Sequence, residues 1–201
     1  MSTLLKPLLV RNELLDRGLR IFSFEEFSRI FRVKFYQSKY FIEEQTKNEL
    51  FVRLKNGLYT LKTDLPCEEV VANKIYQPSY LSFEYALAYY GIIPEMPYQI
   101  TSATTKITRH FEVLEKQFVY SKIKEKAYCG YQLAKVDDQA YLIAEPEKAV
   151  IDYLYFESLG KKPANERMDL QRLSKRKMVE YAKLFERKSL IKLIEEKNVV
   201  K

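Results

Sequence analysis

The sequence predicts an α+β protein with two domains. Three observations support this prediction. Three helix-like segments and a hairpin signal come first, several strand-like segments follow with no helices between them, and a helical segment rich in Lys and Arg closes the chain. The composition changes at Asp64-Leu65-Pro66, so we expect one domain over residues 1–64 and another over residues 65–201.

The first domain begins with three predicted helices. Leucines recur along one side of Lys6–Arg17, and Gly18 ends that helix. Ser23 and Glu26 form a capping box, which opens a second helix with a stripe of phenylalanine and isoleucine. We expect a third helix within residues 34–47, where the apolar periodicity is weaker.

A hairpin signal follows these helices. Asn56-Gly57 lies between two strand-like runs, Leu50–Lys55 and Leu58–Lys62. Asn-Gly favours a hairpin because both residues tolerate the positive φ angles of a type I′ turn. Three helices and a hairpin with a basic tip predict a winged helix-turn-helix, in which the third helix enters the major groove of DNA and the wing contacts the flanking backbone.

Seven polar side chains of the third helix and the hairpin are the predicted contacts to double-stranded DNA: Lys34, Gln37, Ser38, Lys39, Arg53, Lys55 and Asn56. Lys and Arg neutralise phosphates, while Gln and Asn form paired hydrogen bonds with adenine edges. The residues alone leave two alternatives open. One is a winged helix used only for protein contacts, and the other is an ordinary surface hairpin in a different fold.

The second domain is predicted to mix helices with a sheet. A short helix is expected at Glu68–Lys74 and an aromatic-rich one at Phe83–Tyr90. Strand-like patterns then cover Tyr98–Thr104, Ile107–Leu114, Phe118–Ile123, Tyr128–Val136 and Ala140–Ala144. Short connections without crossover helices predict an antiparallel sheet. Glu145-Pro146 opens another helix, and basic helices follow Pro163.

Charge is distributed unevenly along the chain. Residues 1–64 carry 12 Lys or Arg and 8 Asp or Glu (net +4), residues 65–160 carry 9 and 13 (net −4), and residues 161–201 carry 13 and 6 (net +7). Basic ends around an acidic middle indicate that a polyanion binds at the ends, because Lys and Arg displace condensed counterions from phosphates. A Lys-rich tail that only increases solubility is the alternative.

The composition excludes several classes of protein. With 47% hydrophobic residues the chain is too apolar to be disordered. It lacks both a signal-peptide pattern and the roughly 20 consecutive apolar residues of a membrane helix, so we expect a cytoplasmic protein. Two cysteines and one histidine exclude a disulfide framework and a four-ligand structural zinc site. Five isolated glycines exclude a Gly-rich phosphate loop, and we expect no metal or cofactor.

Five segments of the chain resemble a known bacterial family: Gly57–Leu61, Ala72–Ser82, Ala86–Glu95, Ile100–Thr105 and Ala144–Asp152. The sequence is similar to the AbiEi family, the antitoxins and transcriptional regulators of AbiE-type (type IV) toxin–antitoxin systems, which are associated with abortive infection and phage defence. The likeness extends over roughly residues 20–195, and Pro78–Ser82 and Glu145–Ala149 are its most specific parts.

The resemblance implies a function for each domain. The N-terminal winged helix would repress the protein's own operon by binding an inverted repeat in its promoter. The C-terminal domain would counteract a nucleotidyltransferase-like toxin, either by direct contact or functionally, without contact. Neither role requires catalysis, and we expect that the protein is not an enzyme.

Charged residues around the last predicted strand form the best candidate for catalysis: Asp137, Asp138, Glu145, Glu147 and Lys148. Metal-dependent nucleases hold a divalent ion with carboxylates on adjacent strands and place a lysine near the attacking water. The sequence favours structural roles, because Asp137 and Asp138 fall in a predicted tight turn and acidic side chains stabilise the first turn of a helix. A nuclease or nucleotide-transferring enzyme that a winged helix directs to DNA is the alternative. Lys148 is also expected to pair with Asp152 on one helix face.

The basic tail is the expected toxin-neutralising surface. Seven cations there lie between two apolar stripes: Arg172, Lys175, Arg176, Lys177, Lys183, Arg187 and Lys188. The stripes predict helices that dock on the domain and present one positive face. Such a face suits an acidic surface of the toxin or a nucleic acid that the toxin handles.

Overall fold

A computed structural model describes residues 5–197 and has an α+β architecture. Its helices are α1 (Pro7–Asp16), α2 (Phe24–Phe31), α3 (Phe35–Lys47), α4 (Glu68–Ile75), α5 (Phe83–Tyr89), α6 (Pro146–Ser158), α7 (Lys175–Leu184) and α8 (Lys188–Glu196). Its strands are β1 (Ile21–Ser23), β2 (Phe51–Lys55), β3 (Leu58–Leu61), β4 (Ser79–Leu81), β5 (Ile100–Thr104), β6 (Arg109–Val113), β7 (Lys116–Lys122), β8 (Tyr131–Val136) and β9 (Gln139–Ala144). In the described residues, none of the helices combines the length and apolarity that a membrane span requires.

The chain divides into two compact units after Ile75. The first unit runs α1-β1-α2-α3-β2-β3-α4, and its sheet is antiparallel with the strand order β1-β3-β2. Helix α4, which the sequence placed with the second domain, packs against β2 of the first unit. Phenylalanines dominate the core: the ring of Phe22 lies 5.9 Å from that of Phe27 and 5.2 Å from that of Phe51, measured between centroids.

Two local predictions for the first unit are confirmed, one of them in part. Ser23 Oγ accepts a hydrogen bond from the backbone N–H of Glu26, whose carboxylate accepts one from the N–H of Ser23, as a capping box requires. Strands β2 and β3 form the expected hairpin. Its turn is not of type I′, because Gly57 has a φ of +76° while Asn56 does not enter the left-handed region.

The sheet of the second unit has six strands in the order β6-β7-β5-β4-β9-β8. The prediction of an antiparallel sheet is wrong, because β4 pairs with β9 and β5 pairs with β7 in parallel. After β5 the chain skips one position in the sheet and forms β6 at the edge. Strand β7 then fills the position between β6 and β5. That arrangement makes β7 antiparallel to β6 and parallel to β5. The sequence also missed β4, a three-residue strand in the middle of the sheet.

Helix α6 forms the centre of the helical layer, in contact with α5, α7 and α8. Pro146 occupies its first turn, as predicted, where the missing N–H is not needed. Most of the helix is buried, including the three charged residues Glu147, Lys148 and Asp152. Burial of a charged group in the interior of a domain is costly unless the group has a partner. The contacts of these three residues are therefore described below.

Candidate nucleic-acid interface

Helices α2 and α3 are joined by a turn of three residues, Arg32–Lys34. Arg32 ends α2 in the left-handed conformation with a φ of +51°. Turns of three to four residues with such a cap are typical of helix-turn-helix pairs. Helix α3 then packs on the core with Phe41 and Ile42, and this leaves its opposite face to solvent.

The exposed face of α3 carries aromatic and cationic side chains in its first turns. Tyr36 is 64% exposed and Tyr40 is 70% exposed, and Lys39 lies beside them on the same face. The later turns are acidic, with Glu43 and Glu44 both exposed. A polyanion is therefore attracted to the N-terminal half of the helix, which is also the half that carries base-reading residues in helix-turn-helix proteins.

The structure separates the four predicted contacts of the third helix. Lys34 and Lys39 are exposed. Gln37 is half-buried, and its Oε1 accepts the backbone N–H of Lys34 at 3.0 Å, so the amide caps the helix. The expectation for Ser38 is wrong: this side chain is fully buried, with its Oγ 2.7 Å from the Oγ of Ser28. It joins α3 to α2 because the face that carries Phe41 and Ile42 turns inward.

The hairpin presents two of its three predicted contacts. Arg53 and Asn56 are exposed near the tip. Lys55 is half-buried instead, and its Nζ donates to the backbone oxygen of Ile75 at 2.6 Å. That carbonyl ends α4, where a positive charge is favourable. Lys55 therefore anchors α4 to the hairpin, and its contact with DNA stays a prediction.

The sequence reasoning missed Tyr36 and Tyr40. The two tyrosines are four residues apart and therefore share a face of α3. The apolar periodicity of this helix is weak because aromatic residues occupy both the buried and the exposed sides. Ser38, Phe41 and Ile42 share the buried face of α3, with spacings of three and one. Once that face is assigned to the core, the two tyrosines fall on the outside.

In the second unit, strand β4 and helix α6 meet at one buried carboxylate. Asp152 Oδ2 accepts hydrogen bonds from Tyr80 Oη at 2.9 Å and from Ser82 Oγ at 2.7 Å. Its other oxygen pairs with Lys148 Nζ, which confirms the predicted pair within the helix. All four residues are fully buried. These side chains therefore hold β4 and α6 together.

Aromatic rings enclose the same network. Lys148 Nζ lies 5.5 Å from the ring centroid of Tyr80 and 5.0 Å from that of Phe185, within the range of cation–π attraction. Burial, and then the negative charge of Asp152, raise the pKa of Tyr80 well above its ordinary value. The hydroxyl of Tyr80 thus stays protonated and remains a donor to the carboxylate.

The acidic residues of the candidate catalytic set have structural roles. Asp137 and Asp138 form the two-residue turn between β8 and β9, as predicted. Glu147 Oε1 accepts the backbone N–H of Ser174 at 3.1 Å, just before α7 begins. Within residues 5–197, no group of three or more His, Cys, Asp and Glu side chains is arranged to hold a metal ion.

Two cations of the basic tail serve contacts within the second unit. Lys177 Nζ lies 2.8 Å from Glu145 Oε2 and lowers the pKa of that carboxyl by its hydrogen bond. Arg187 donates to Ser158 Oγ at 3.0 Å and to the backbone oxygen of Ser158 at 2.8 Å, near the end of α6. Arg176 is exposed and paired with Glu180 four residues later. The remaining cations of the set, Arg172, Lys175, Lys183 and Lys188, are exposed.

No family model matches this chain, and no curated protein is significantly similar to it in sequence.

Proposed function

We propose that the chain is a sequence-specific DNA-binding protein and that its N-terminal unit is a winged helix. The observation that carries the proposal is the element order α1-β1-α2-α3-β2-β3 with a three-stranded sheet ordered β1-β3-β2. The three-residue turn before α3 supports the same reading. In a winged helix the third helix reads the major groove, and here α3 presents its exposed face in its first turns.

The proposed contacts follow from what α3 and the hairpin expose. Lys34 and Lys39 neutralise phosphates, and Arg53 does the same from the hairpin. Tyr36 and Tyr40 lie where base edges pass, and their rings can pack against thymine methyl groups. The acidic later turns of α3 repel phosphates, which restricts binding to the first turns.

The second unit is proposed to act as the antitoxin half of the protein. The support is the resemblance to the AbiEi family, together with the exposed cations of the basic tail. In this proposal the chain represses its own operon through the first unit and opposes a nucleotidyltransferase-like toxin through the second. It acts by binding, not by catalysis.

The DNA proposal is tested with the full chain, its own promoter fragment and a scrambled duplex of equal length at several salt concentrations. We expect tighter binding to the promoter, with log affinity falling linearly against log salt. Lys39→Ala should weaken binding to both duplexes and reduce the salt slope by about 1. Lys192→Ala, a control in α8, should change neither. Equal affinity of the unmodified protein for both duplexes would refute the proposal.

Tyr40→Ala tests base reading separately from charge. It removes a ring but no cation, so we expect a smaller preference for the promoter with little change in the affinity for scrambled duplex. The salt slope should stay that of the unmodified protein. A loss of affinity that is equal for both duplexes would assign Tyr40 to the backbone instead of the bases.

The antitoxin proposal is tested by co-expression with the neighbouring nucleotidyltransferase-like gene that it requires. Charge reversal to Glu at four exposed tail positions, Arg172, Lys175, Lys183 and Lys188, should abolish protection of the cells while promoter binding persists. Undiminished protection by this variant would show that the tail is not the neutralising surface.

A further inference from the structure

One side of the six-stranded sheet carries positive charge that the proposed function does not use. Residues 99–111 and 116–124, which cover β5, most of β6 and all of β7, include five Lys or Arg and no Asp or Glu. This excess of cations runs against the composition around it, because residues 65–160 together have a net charge of −4. The three strands therefore concentrate positive charge within the acidic part of the chain.

The strand register places two of these cations on one face of the sheet, and a third joins them from a loop. Arg109 of β6 pairs with Tyr120 of β7, so their side chains share a face. Lys122 lies two residues beyond Tyr120 and therefore points to the same side. It is a diagonal neighbour of Arg109, at a Cβ separation of about 7 Å. Lys106 follows β5, and its Nζ lies 5.6 Å from the ring centroid of Tyr76.

Two partly exposed aromatic rings lie among these cations. Phe111 follows Arg109 by two residues on the same face of β6. The ring of Tyr76 lies 5.7 Å from that of Phe111 and 5.2 Å from that of Tyr120, measured between centroids. Tyr120 is fully buried, whereas Tyr76 and Phe111 keep part of their surface in solvent. The surface therefore combines cations with accessible aromatic rings.

The three cations are not neutralised within the part of the chain that the structure describes. Lys106, Arg109 and Lys122 are exposed, and no ion pair among residues 5–197 includes any of them. Lys126, a short distance further along the chain, lies 2.7 Å from Glu186 and is thus neutralised. Like charges that lie close together repel one another, and an anionic partner relieves that repulsion.

We propose that the surface formed by Lys106, Arg109, Lys122, Tyr76 and Phe111 binds single-stranded nucleic acid without regard to its sequence. Proteins with this activity combine a cationic path for the phosphates with aromatic rings on which bases stack. The bases of a duplex are stacked on one another, and an acidic protein surface has no bases, so neither partner would use the rings. The contacts are to phosphates and base faces, which DNA and RNA share. The site belongs to the second unit and does not rest on the function proposed above.

The proposal is tested with the full chain and a labelled oligo(dT) of about 12 nucleotides, by fluorescence anisotropy at several salt concentrations. Each phosphate contact on a single strand contributes about 0.7 to the slope of log affinity against log salt. Arg109→Ala should therefore reduce the slope by about 0.7. The triple change Lys106→Ala, Arg109→Ala and Lys122→Ala should reduce it by about 2 and weaken binding at least about tenfold. Lys135→Ala, at an exposed cation of β8 in the same sheet, is the matched control and should change neither.

Variants of Phe111 test the stacking separately from the charge. Phe111→Leu removes a ring but no cation, so the affinity for oligo(dT) should fall at least about fivefold while the salt slope stays unchanged. Phe111→Tyr keeps a ring and should bind like the unmodified chain, and the circular dichroism spectra of both variants should match that of the unmodified chain. An equal loss of affinity in the two variants would overturn the stacking of a base on this ring.

Other outcomes overturn the site or its partner. Unchanged oligo(dT) binding by the triple variant would place the oligonucleotide elsewhere on the chain. An equal loss of affinity for the scrambled duplex would make the surface a contact to duplex DNA, and displacement of oligo(dT) by a polyglutamate peptide of equal charge would make it a contact to acidic proteins. Oligo(U) of the same length should bind as oligo(dT) does, and a strong preference for either would contradict the proposed contacts. Promoter binding by the triple variant should persist, so failure of this site is distinct from failure of promoter recognition.

Discussion

Replacing Asp152 by alanine should unfold the second unit at a markedly lower urea concentration. The change removes the carboxylate that pairs with Lys148 and leaves that ammonium in a fully buried position. Removing one partner of a buried ion pair costs about 3–5 kcal/mol, because the remaining charge has lost both its water and its counterion. The hydroxyls of Tyr80 and Ser82 lose their acceptor as well, which places the expected cost at the upper end of that range.

A double-mutant cycle separates the charge from the packing. Lys148→Met fills the same volume without a charge, so the combined Lys148→Met, Asp152→Ala variant should be more stable than Asp152→Ala alone. Arg176 and Glu180 provide the control, since they have the same spacing at exposed positions. Glu180→Ala should cost no more than about 0.5 kcal/mol.

Urea unfolding of the full chain, followed by far-ultraviolet circular dichroism, measures these differences. The change should lower the midpoint of the transition that reports the second unit and leave the slope of that transition unchanged. The reasoning would be refuted if Asp152→Ala cost as little as Glu180→Ala. It would also be refuted if adding Lys148→Met made Asp152→Ala still less stable.

Two further predictions concern the second unit. Gly130→Ala should cost about 1–3 kcal/mol more than Gly160→Ala in the same urea assay, because both glycines have a φ near +67° but only at Gly130 would a Cβ lie 2.6 Å from the ring of Tyr181. Equal costs would show that the ring moves aside freely. Burial raises the pKa of Tyr128 and of Tyr153 from 10.0 to about 12, so the stability that these groups contribute is complete below pH 10 and is lost as the pH rises to about 12. An alkaline titration that follows tyrosinate absorbance together with circular dichroism measures this, and ionisation of every tyrosine at an ordinary pKa in a folded chain would contradict it.

Local features of the fold could be predicted from the sequence because they depend on a few neighbouring residues. The capping box needs only Ser23 and Glu26, and the β2–β3 hairpin needs a turn between two strand-like runs. The pair of Lys148 and Asp152 follows from a spacing of four on a helix. Each of these contacts joins residues that are close in sequence.

The candidate interface was predicted in part. Lys39 and Arg53 are exposed, as a role in DNA binding requires, because long cations are rarely buried without a partner. Ser38 was misassigned, since only the packed structure fixes which side of α3 faces α2. The exposed pair Tyr36 and Tyr40 was missed for the same reason.

By itself the sequence determined the α+β class, most of the helices and strands, and the charge pattern of two basic ends around an acidic middle. Only the tertiary structure decided the mixed sheet, in which Leu81 of β4 pairs with Ile143 of β9, and the burial of Asp152 between α6 and β4. The physical reason is distance along the chain. Local hydrogen bonds and turn preferences act between neighbours, whereas strand order and burial depend on which remote segments compete for the same partners.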